Sequence, residues 1–258
     1  MKLLLSNDDG VMAPGLNTLY SELKSSYDAT VVAPLEERST TGHSLSLDRP
    51  LRIEKIDENI FGCSGFPGDC VLLGITHLLN EQRPDVVISG INRGANLGQD
   101  LYYSGTIGAA REAVFHHIPG IAVSLVMTSL QDKHHYDSAA KFIAFCLSHD
   151  LHLKIPKYTL ININVPDMPL EKIKGCKLTE IGFRQYSEDV FVRKDARDRD
   201  YFWIAGKYMG FRNNVKSDCH AVENDYISLT PHGLIDGLDN DYSELQNIIE
   251  KLNDKYFT

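Results

Sequence analysis

The sequence predicts an α/β fold: a Rossmann-like, doubly wound, mostly parallel sheet with a C-terminal β-hairpin excursion and a closing helix. Three observations lead there. Up to about residue 165, short β-rich runs alternate with stretches of helical period, the pattern of βαβ units. Several of those runs are apolar at almost every position, as strands covered on both faces must be. Acidic, hydroxyl-rich and glycine-rich segments follow the runs, at the strand ends where open parallel sheets bind ligands.

Strands are expected at residues 2–6, 30–33, 85–89, 121–126 and 159–164. Leu16, Leu19 and Leu23 recur at helical spacing behind Pro14-Gly15, where Pro suits a first helical turn. Val71, Leu72, Ile75, Leu78 and Leu79 do the same, as do Ile107, Ala110 and Val114, and later Ala139, Phe142, Ile143 and Phe145. After Pro166 the texture changes. Residues 172–181, 189–192 and 201–209 are shorter, more charged and more aromatic, and read as strands or hairpins outside the βαβ series. The alternating charges of 193–200 read as a solvated hairpin tip, or in the sharper reading as an intersubunit or lid element. Residues 226–229 read as a strand and 242–256 as the closing helix. The organisation expected is therefore a Rossmann-like core over 1–165 and a hairpin and oligomerisation extension over 166–258, both in one domain.

Composition supports a folded globular chain and narrows its partners. The 258 residues are 43% hydrophobic and 24% charged, enough for one large domain with a small appendage. With 26 Lys and Arg against 35 Asp and Glu the formal net charge is -9, which disfavours a long nucleic acid. A small phosphorylated ligand remains compatible, because a metal ion and backbone amides supply positive potential that side chains lack. Five widely spaced cysteines without a CxxC pair read as reduced thiols, and the N-terminus does not resemble a signal peptide, so a cytoplasmic location is expected. No apolar run approaches the ~20 residues of a membrane helix, so no membrane partner is expected.

The chemistry concentrates behind three strands. The first ends in Ser6-Asn7-Asp8-Asp9-Gly10. Adjacent side chains on a strand point to opposite faces, so Asp8 and Asp9 converge only if the chain turns there, and Gly10 permits that turn. Two close carboxylates repel unless a cation lies between them, which favours a hard divalent metal. The alternative is a polar turn with one Asp capping the next helix. Behind the second strand comes a hydroxyl-dense loop, Glu36 through Ser44, that carries Ser39 and His43. Behind the third come Gly90-Ile91-Asn92-Arg93-Gly94-Ala95-Asn96-Leu97-Gly98 and then Tyr103-Ser104-Gly105-Thr106. A helix starting at Ser104-Gly105-Thr106 offers unpaired N–H groups to a phosphate, although Ser104 or Thr106 is equally readable as an N-cap. Neither GxxxxGK[ST] nor a GxGxxG behind the first strand is present, which argues against a P-loop NTPase and a dinucleotide enzyme. His116-His117 and His134-His135 read as adjacent pairs whose side chains diverge on a helix, so neither is expected to share a metal. Trp203 and Tyr208 read as core or interface, with nucleobase stacking as the sharper alternative.

Taken together, Ser6 to Gly10, Val32-Ala33-Pro34 with Arg38-Ser39, Pro67 with Asp69-Cys70-Val71, Ser89 to Asn92 through Asn96-Leu97-Gly98, and Tyr103 to Thr106 closely resemble the survival protein SurE family of metal-dependent nucleotidases. The match runs in order and spacing over residues 1 to about 125, with a weaker echo at Ser217-Asp218 and at 228–231. The resemblance implies hydrolysis of nucleoside 5′- and 3′-monophosphates, and in some members of short polyphosphate. It implies one Mg²⁺ or Mn²⁺ per subunit held by Asp8, Asp9, Ser39 and Asn92, and assembly into a homodimer or homotetramer. Asn96, Ser104, Gly105 and Thr106 are then expected to hold the phosphoryl group, with His43 as a substrate-binding residue able to protonate the leaving group. Asp8 and Asp9 are the expected catalytic pair, as ligands of a metal-bound water or with one of them as base or nucleophile. Ala95 stands where many members have Pro, and Phe66 where Thr or Ser commonly precedes the Pro. The rival readings are an exopolyphosphatase and a metal- and nucleotide-binding assembly protein without turnover.

Overall fold

The computed structural model describes residues 1–127, 133–235 and 241–256. Its centre is a nine-stranded sheet. In chain order its strands are β1 (Lys2–Ser6), β2 (Asp28–Pro34), β3 (Ile53–Asp57), β4 (Ile60–Cys63), β5 (Val86–Arg93), β6 (Gly120–Val126), β7 (Thr159–Pro166) and β8 (Cys176–Leu178). Four further strands, β9 (Arg184–Tyr186), β10 (Val190–Lys194), β11 (Asp200–Ile204) and β12 (Tyr208–Phe211), lie outside it, and β13 (Ile227–Gly233) returns to it. The sheet order is β3-β4-β2-β1-β5-β6-β7-β13-β8. From β4 to β7 the neighbours are all parallel, whereas β3 pairs antiparallel with β4 and β13 antiparallel with β7.

Strand alternation sorts the core into two layers. Leu3 and Leu5 of β1 lie on the sheet face that is covered by α1 (Pro14–Leu23), α4 (Tyr136–Ser148) and, at the β8 end, α6 (Ser243–Tyr256), which contribute Leu16, Leu19, Phe142, Ile143, Leu245 and Leu252 to one buried cluster. Leu4 faces the other way, onto Cys70 and Val71 of α2 (Pro67–Leu73) and Ala109 and Ala113 of α3 (Gly105–Phe115). Helices therefore cover both faces, as the uniformly apolar strands require. The strands expected near 30–33, 85–89, 121–126 and 159–164 all form, extended by up to four residues. The β3–β4 hairpin was not anticipated. Glu54, Lys55 and Asp57 leave β3 almost wholly exposed at the sheet edge, so it carries neither the apolar run nor the turn signal of a buried strand.

The segment after 166 is both excursion and return. β13 pairs with β7 from Ser228 opposite Asn164 to Gly233 opposite Thr159, which brings the chain back into the central sheet. In between, β10 and β11 pair among the described residues only with each other, and β9 with β12. Asp218, at the start of α5 (Asp218–Glu223), is fully buried and accepts backbone N–H groups of Gly98, Gly182 and Cys219 at 2.9, 2.8 and 2.7 Å. One carboxylate thus fastens the excursion to the loop that follows β5.

Candidate functional site

The site is built at the carboxyl end of β1. Gly10, at φ +102°, turns the chain there, and the Asn7 side-chain amide donates to its carbonyl at 2.9 Å. Arg38 donates its backbone N–H to the Asp8 carbonyl at 2.7 Å, which draws the hydroxyl loop against the turn. The Asp8 side chain points at the first turn of α3, where the Thr106 hydroxyl donates to Oδ1. A Cβ on Gly105 would stand 2.8 Å from the Asp8 Cβ, so this approach needs glycine. Ser104 is the N-cap of that helix, its Oγ accepting the Ile107 N–H at 3.2 Å.

Burial dominates the electrostatics. Asp8 is 4% exposed and its carboxyl is pushed up to about 6, chiefly by desolvation and further by Asp9, against the opposing pull of Thr106. The Asp9 carboxyl is also raised, first by burial, although its Oδ2 accepts the Arg93 N–H at 2.9 Å. Two neighbouring acids whose charged forms both suffer from burial call for positive charge.

The oxygen donors present meet that need. Asp8, Ser39 and Asn92 border one cleft of about 370 Å³, while Asp9 and Ser39 border an adjoining space of about 310 Å³ with Glu37, His134 and Tyr136. Asn92 spends its Nδ2 on the Gly94 carbonyl at 2.9 Å, and Ser39 donates its hydroxyl to Glu37 at 2.8 Å. Oxygen lone pairs therefore remain on Asn92, Ser39 and both carboxylates, a hard donor set that fits Mg²⁺ or Mn²⁺. Among the described residues no three His, Cys, Asp or Glu side chains group as metal ligands, so a cation here draws on hydroxyl and amide oxygens too.

The other expected residues divide. Asn96 and Ser104 border the cleft. Asn96 is anchored from below: its N–H donates to Asn164 Oδ1 and its side chain to Ser124 Oγ, while Asn162 and Asn164 donate to its carbonyl. Thr106 is fully buried and its hydroxyl is committed to Asp8, so it orients the carboxylate instead of facing the cleft. His43 is not among the residues bordering the cleft. Its Nε2 lies 2.7 Å from Glu112 on α3 and its ring stacks on Phe115, 5.6 Å between centroids. The expectation for His134 and His135 is corrected: they precede α4, and instead of diverging both Nδ1 atoms meet the Asp167 carboxylate, at 2.7 and 3.1 Å. Tyr186 and Asp100 are cleft residues that sequence reasoning missed. Tyr186 comes from β9 and its hydroxyl donates to Asp100, which also pairs with Arg184 at 2.6 Å. No local pattern signals a contact across 86 positions of chain.

Comparison with known proteins gives the family. A family model described as survival protein SurE matches residues 3–188. A 5′-nucleotidase SurE of Geotalea daltonii is 46% identical over 90% of this chain and 92% of its own length. The 5′-nucleotidase SurE of Vibrio cholerae is 41% identical over 90% of each chain. The crystal structure of the SurE protein from Aquifex aeolicus superposes with a TM-score of 0.80 at 38% identity, covering 98% of this chain and 100% of that one. Matched along most of its length in sequence and along nearly all of it in fold, the chain belongs to the SurE family.

Proposed function

We propose that the chain is a divalent-metal-dependent nucleotidase that hydrolyses nucleoside 5′-monophosphates, and also 3′-monophosphates, to nucleoside and phosphate. The observation that carries this reading is the set of oxygen donors from Asp8, Asp9, Ser39 and Asn92 at the ends of β1, β2 and β5, beside a cleft floored by Asn96, in a chain whose relatives are named 5′-nucleotidases. When bound there, Mg²⁺ or Mn²⁺ supplies a Lewis acid that neutralises phosphoryl charge and lowers the pKa of a water. Thr106 holds the Asp8 carboxylate in place. Asn96, locked by Asn162, Asn164 and Ser124, presents a side chain that needs no reorganisation when substrate enters. Ser104 and Gly105 place the positive end of α3 next to the phosphoryl position. His43 acts through α3, by fixing Glu112, and supports the loop that carries Ser39.

Incubation with a nucleotide panel and short polyphosphate, with Mg²⁺ or Mn²⁺ and again with EDTA, tests the reading. EDTA-sensitive phosphate release from nucleoside monophosphates is expected, and its absence overturns the proposal. Stereochemistry at phosphorus separates the chemical routes: with an isotopically chiral nucleoside phosphorothioate hydrolysed in ¹⁸O water, inversion marks one direct displacement by water and retention marks an aspartyl-phosphate on Asp8 or Asp9.

The same proposal includes self-assembly into a homodimer or homotetramer through the exposed β10–β11 hairpin. Its free cysteines suit a reducing compartment such as the cytoplasm. Among the described residues no helix is long and apolar enough to cross a membrane.

A further inference from the structure

The cleft beside Asp8 has a second space as its neighbour, with Ala95 as the wall they share. That residue borders both the 370 Å³ cleft and a larger cavity of about 520 Å³, whose walls include Leu97, Val126, Met127 and Met168 and whose lining includes Tyr208 and Glu223. Arg184 lines the larger cavity and reaches a residue of the cleft. Its Nη1 pairs with Asp100 on the cleft side, and its guanidinium carbon lies 5.4 Å from the Tyr186 ring and 4.4 Å from the Tyr208 ring. Tyr186 borders the cleft and Tyr208 the cavity, on cross-strand positions with ring centroids 5.9 Å apart.

We propose that this cavity receives the substrate's nucleobase, with Tyr208 as its stacking platform and Glu223 as the acceptor for its amino edge. The inference rests on the nucleotidase reading and names the part of the nucleotide that the reading leaves unplaced. A phosphoryl group at Asp8 leaves the nucleoside to extend over Ala95, whose single methyl is the smallest wall an L-residue can present. Aliphatic and thioether side chains suit the apolar faces of a base, and a tyrosine held by a guanidinium is a rigid aromatic surface. The acidic groups of the cavity are not equivalent. Asp225 pairs with Lys174 at 3.0 Å and Asp167 serves two histidines, whereas the carboxylate of Glu223, an exposed residue near Tyr208, has no hydrogen bond or ion pair among the described residues. An ionised carboxylate only accepts hydrogen bonds. Guanine offers it two adjacent N–H donors and adenine an exocyclic amine, while uracil flanks its one N–H with two carbonyls. The expected order is therefore GMP over AMP over UMP.

The test compares GMP, UMP and ribose 5-phosphate, which carries the phosphoryl group without a base. Tyr208→Ala should lower kcat/KM for GMP about ten-fold through KM, within the range of base–aromatic stacking, and leave ribose 5-phosphate within about two-fold. Glu223→Ala, on a different element, should bring the GMP to UMP ratio towards one and serves as the test should Tyr208→Ala fail to fold. Equal losses on GMP and ribose 5-phosphate, or an unchanged GMP to UMP ratio in Glu223→Ala, overturn the subsite. Should the parent protein release phosphate from none of the three, the nucleotidase reading fails separately. The cavity is then decided by calorimetric GMP binding in EDTA: affinity lost in Tyr208→Ala supports it, and unchanged affinity overturns it.

Discussion

The carboxyl end of β1 and the β10–β11 hairpin treat their side chains in opposite ways. At the first, polar groups are buried and engaged: Asp8 with Thr106, Asp9 with Arg93, Asn96 with three strand residues. At the second, apolar groups are displayed, with Phe202 at 65%, Trp203 at 63% and Ile204 at 93% exposure. The first region is organised within one chain, and burying Asp8, Asp9 and Asn96 is tolerable there because each has a partner, although Ser6 Oγ and Asn7 Oδ1 at the same strand end are buried without one. The second leaves large apolar side chains on both faces of a two-stranded ribbon, with no other strand of the described residues paired to it.

Asp8→Asn breaks the first region where it is most demanding. Phosphate release should fall by roughly a thousand-fold, as loss of several kcal/mol of transition-state charge stabilisation implies. Stability should move the other way. The Asp8 carboxyl titrates at about 6 in the folded protein against 3.8 as its ordinary value, so the folded state binds more protons between those values. Without metal, the contribution of this group to stability is then greatest at the acid end of that window and declines by about 3 kcal/mol as pH rises from about 4 through 6. Asn carries no charge, keeps an oxygen for Thr106 and should remove that decline. Urea melts in EDTA at pH 4.5 and 7 check the sign, and a variant less stable than the parent at pH 7 contradicts it. Added Mg²⁺ or Mn²⁺ should stabilise the parent at pH 7 and leave Asp8→Asn almost unaffected.

Asp218 fastens the excursion that carries the hairpin to the loop after β5, and Asp218→Asn should unfasten them. The new amide would turn donors towards buried backbone N–H groups, so one of the bonds to Gly98 or Gly182 is replaced by a donor facing a donor. An unsatisfied buried donor costs about 1–3 kcal/mol, readable as a lowered urea midpoint with m unchanged. Turnover should drop less than in Asp8→Asn, because the loop after Asn92 loosens while the carboxylates stay. Equal stability of variant and parent would show that the excursion is held by other contacts.

The same contrast explains what could be read in the sequence. Strand ends were legible because apolar runs and the polar segments behind them are contiguous, so Asp8 could be placed from its neighbours, whereas Asn92, which lies inside β5, was singled out through the resemblance to the family. The direction of a loop side chain was not. His43 and Ser39 share one loop, yet His43 turns to Glu112 on α3, a partner 69 residues away. Thr106 was legible as a helix start, but its hydroxyl meets Asp8 only because Gly105 lets the helix approach. Tyr186 and Asp100 illustrate the limit: their contact depends on how an aromatic excursion folds back, and no periodicity encodes that.

The last prediction concerns the hairpin and has the smallest effect on the single chain. Phe202→Ser, Trp203→Ser and Ile204→Ser combined remove much of its apolar strip. Substitutions at sites this exposed usually change monomer stability by no more than about 0.5 kcal/mol each. The β10–β11 pairing through Val190 opposite Ile204 to Lys194 opposite Asp200 is a backbone ladder that serine can keep. If the strip is a self-association surface, the parent should sediment as a dimer or tetramer and melt at a temperature that rises with protein concentration, by mass action. The triple variant should sediment as a monomer, melt independently of concentration and keep its activity on ribose 5-phosphate, because no cleft residue has been touched. A variant that stays oligomeric shows that assembly uses another surface. One that is monomeric but unfolds in dilute buffer shows that the hairpin supports the core, and the contrast between the two regions would then be one of degree.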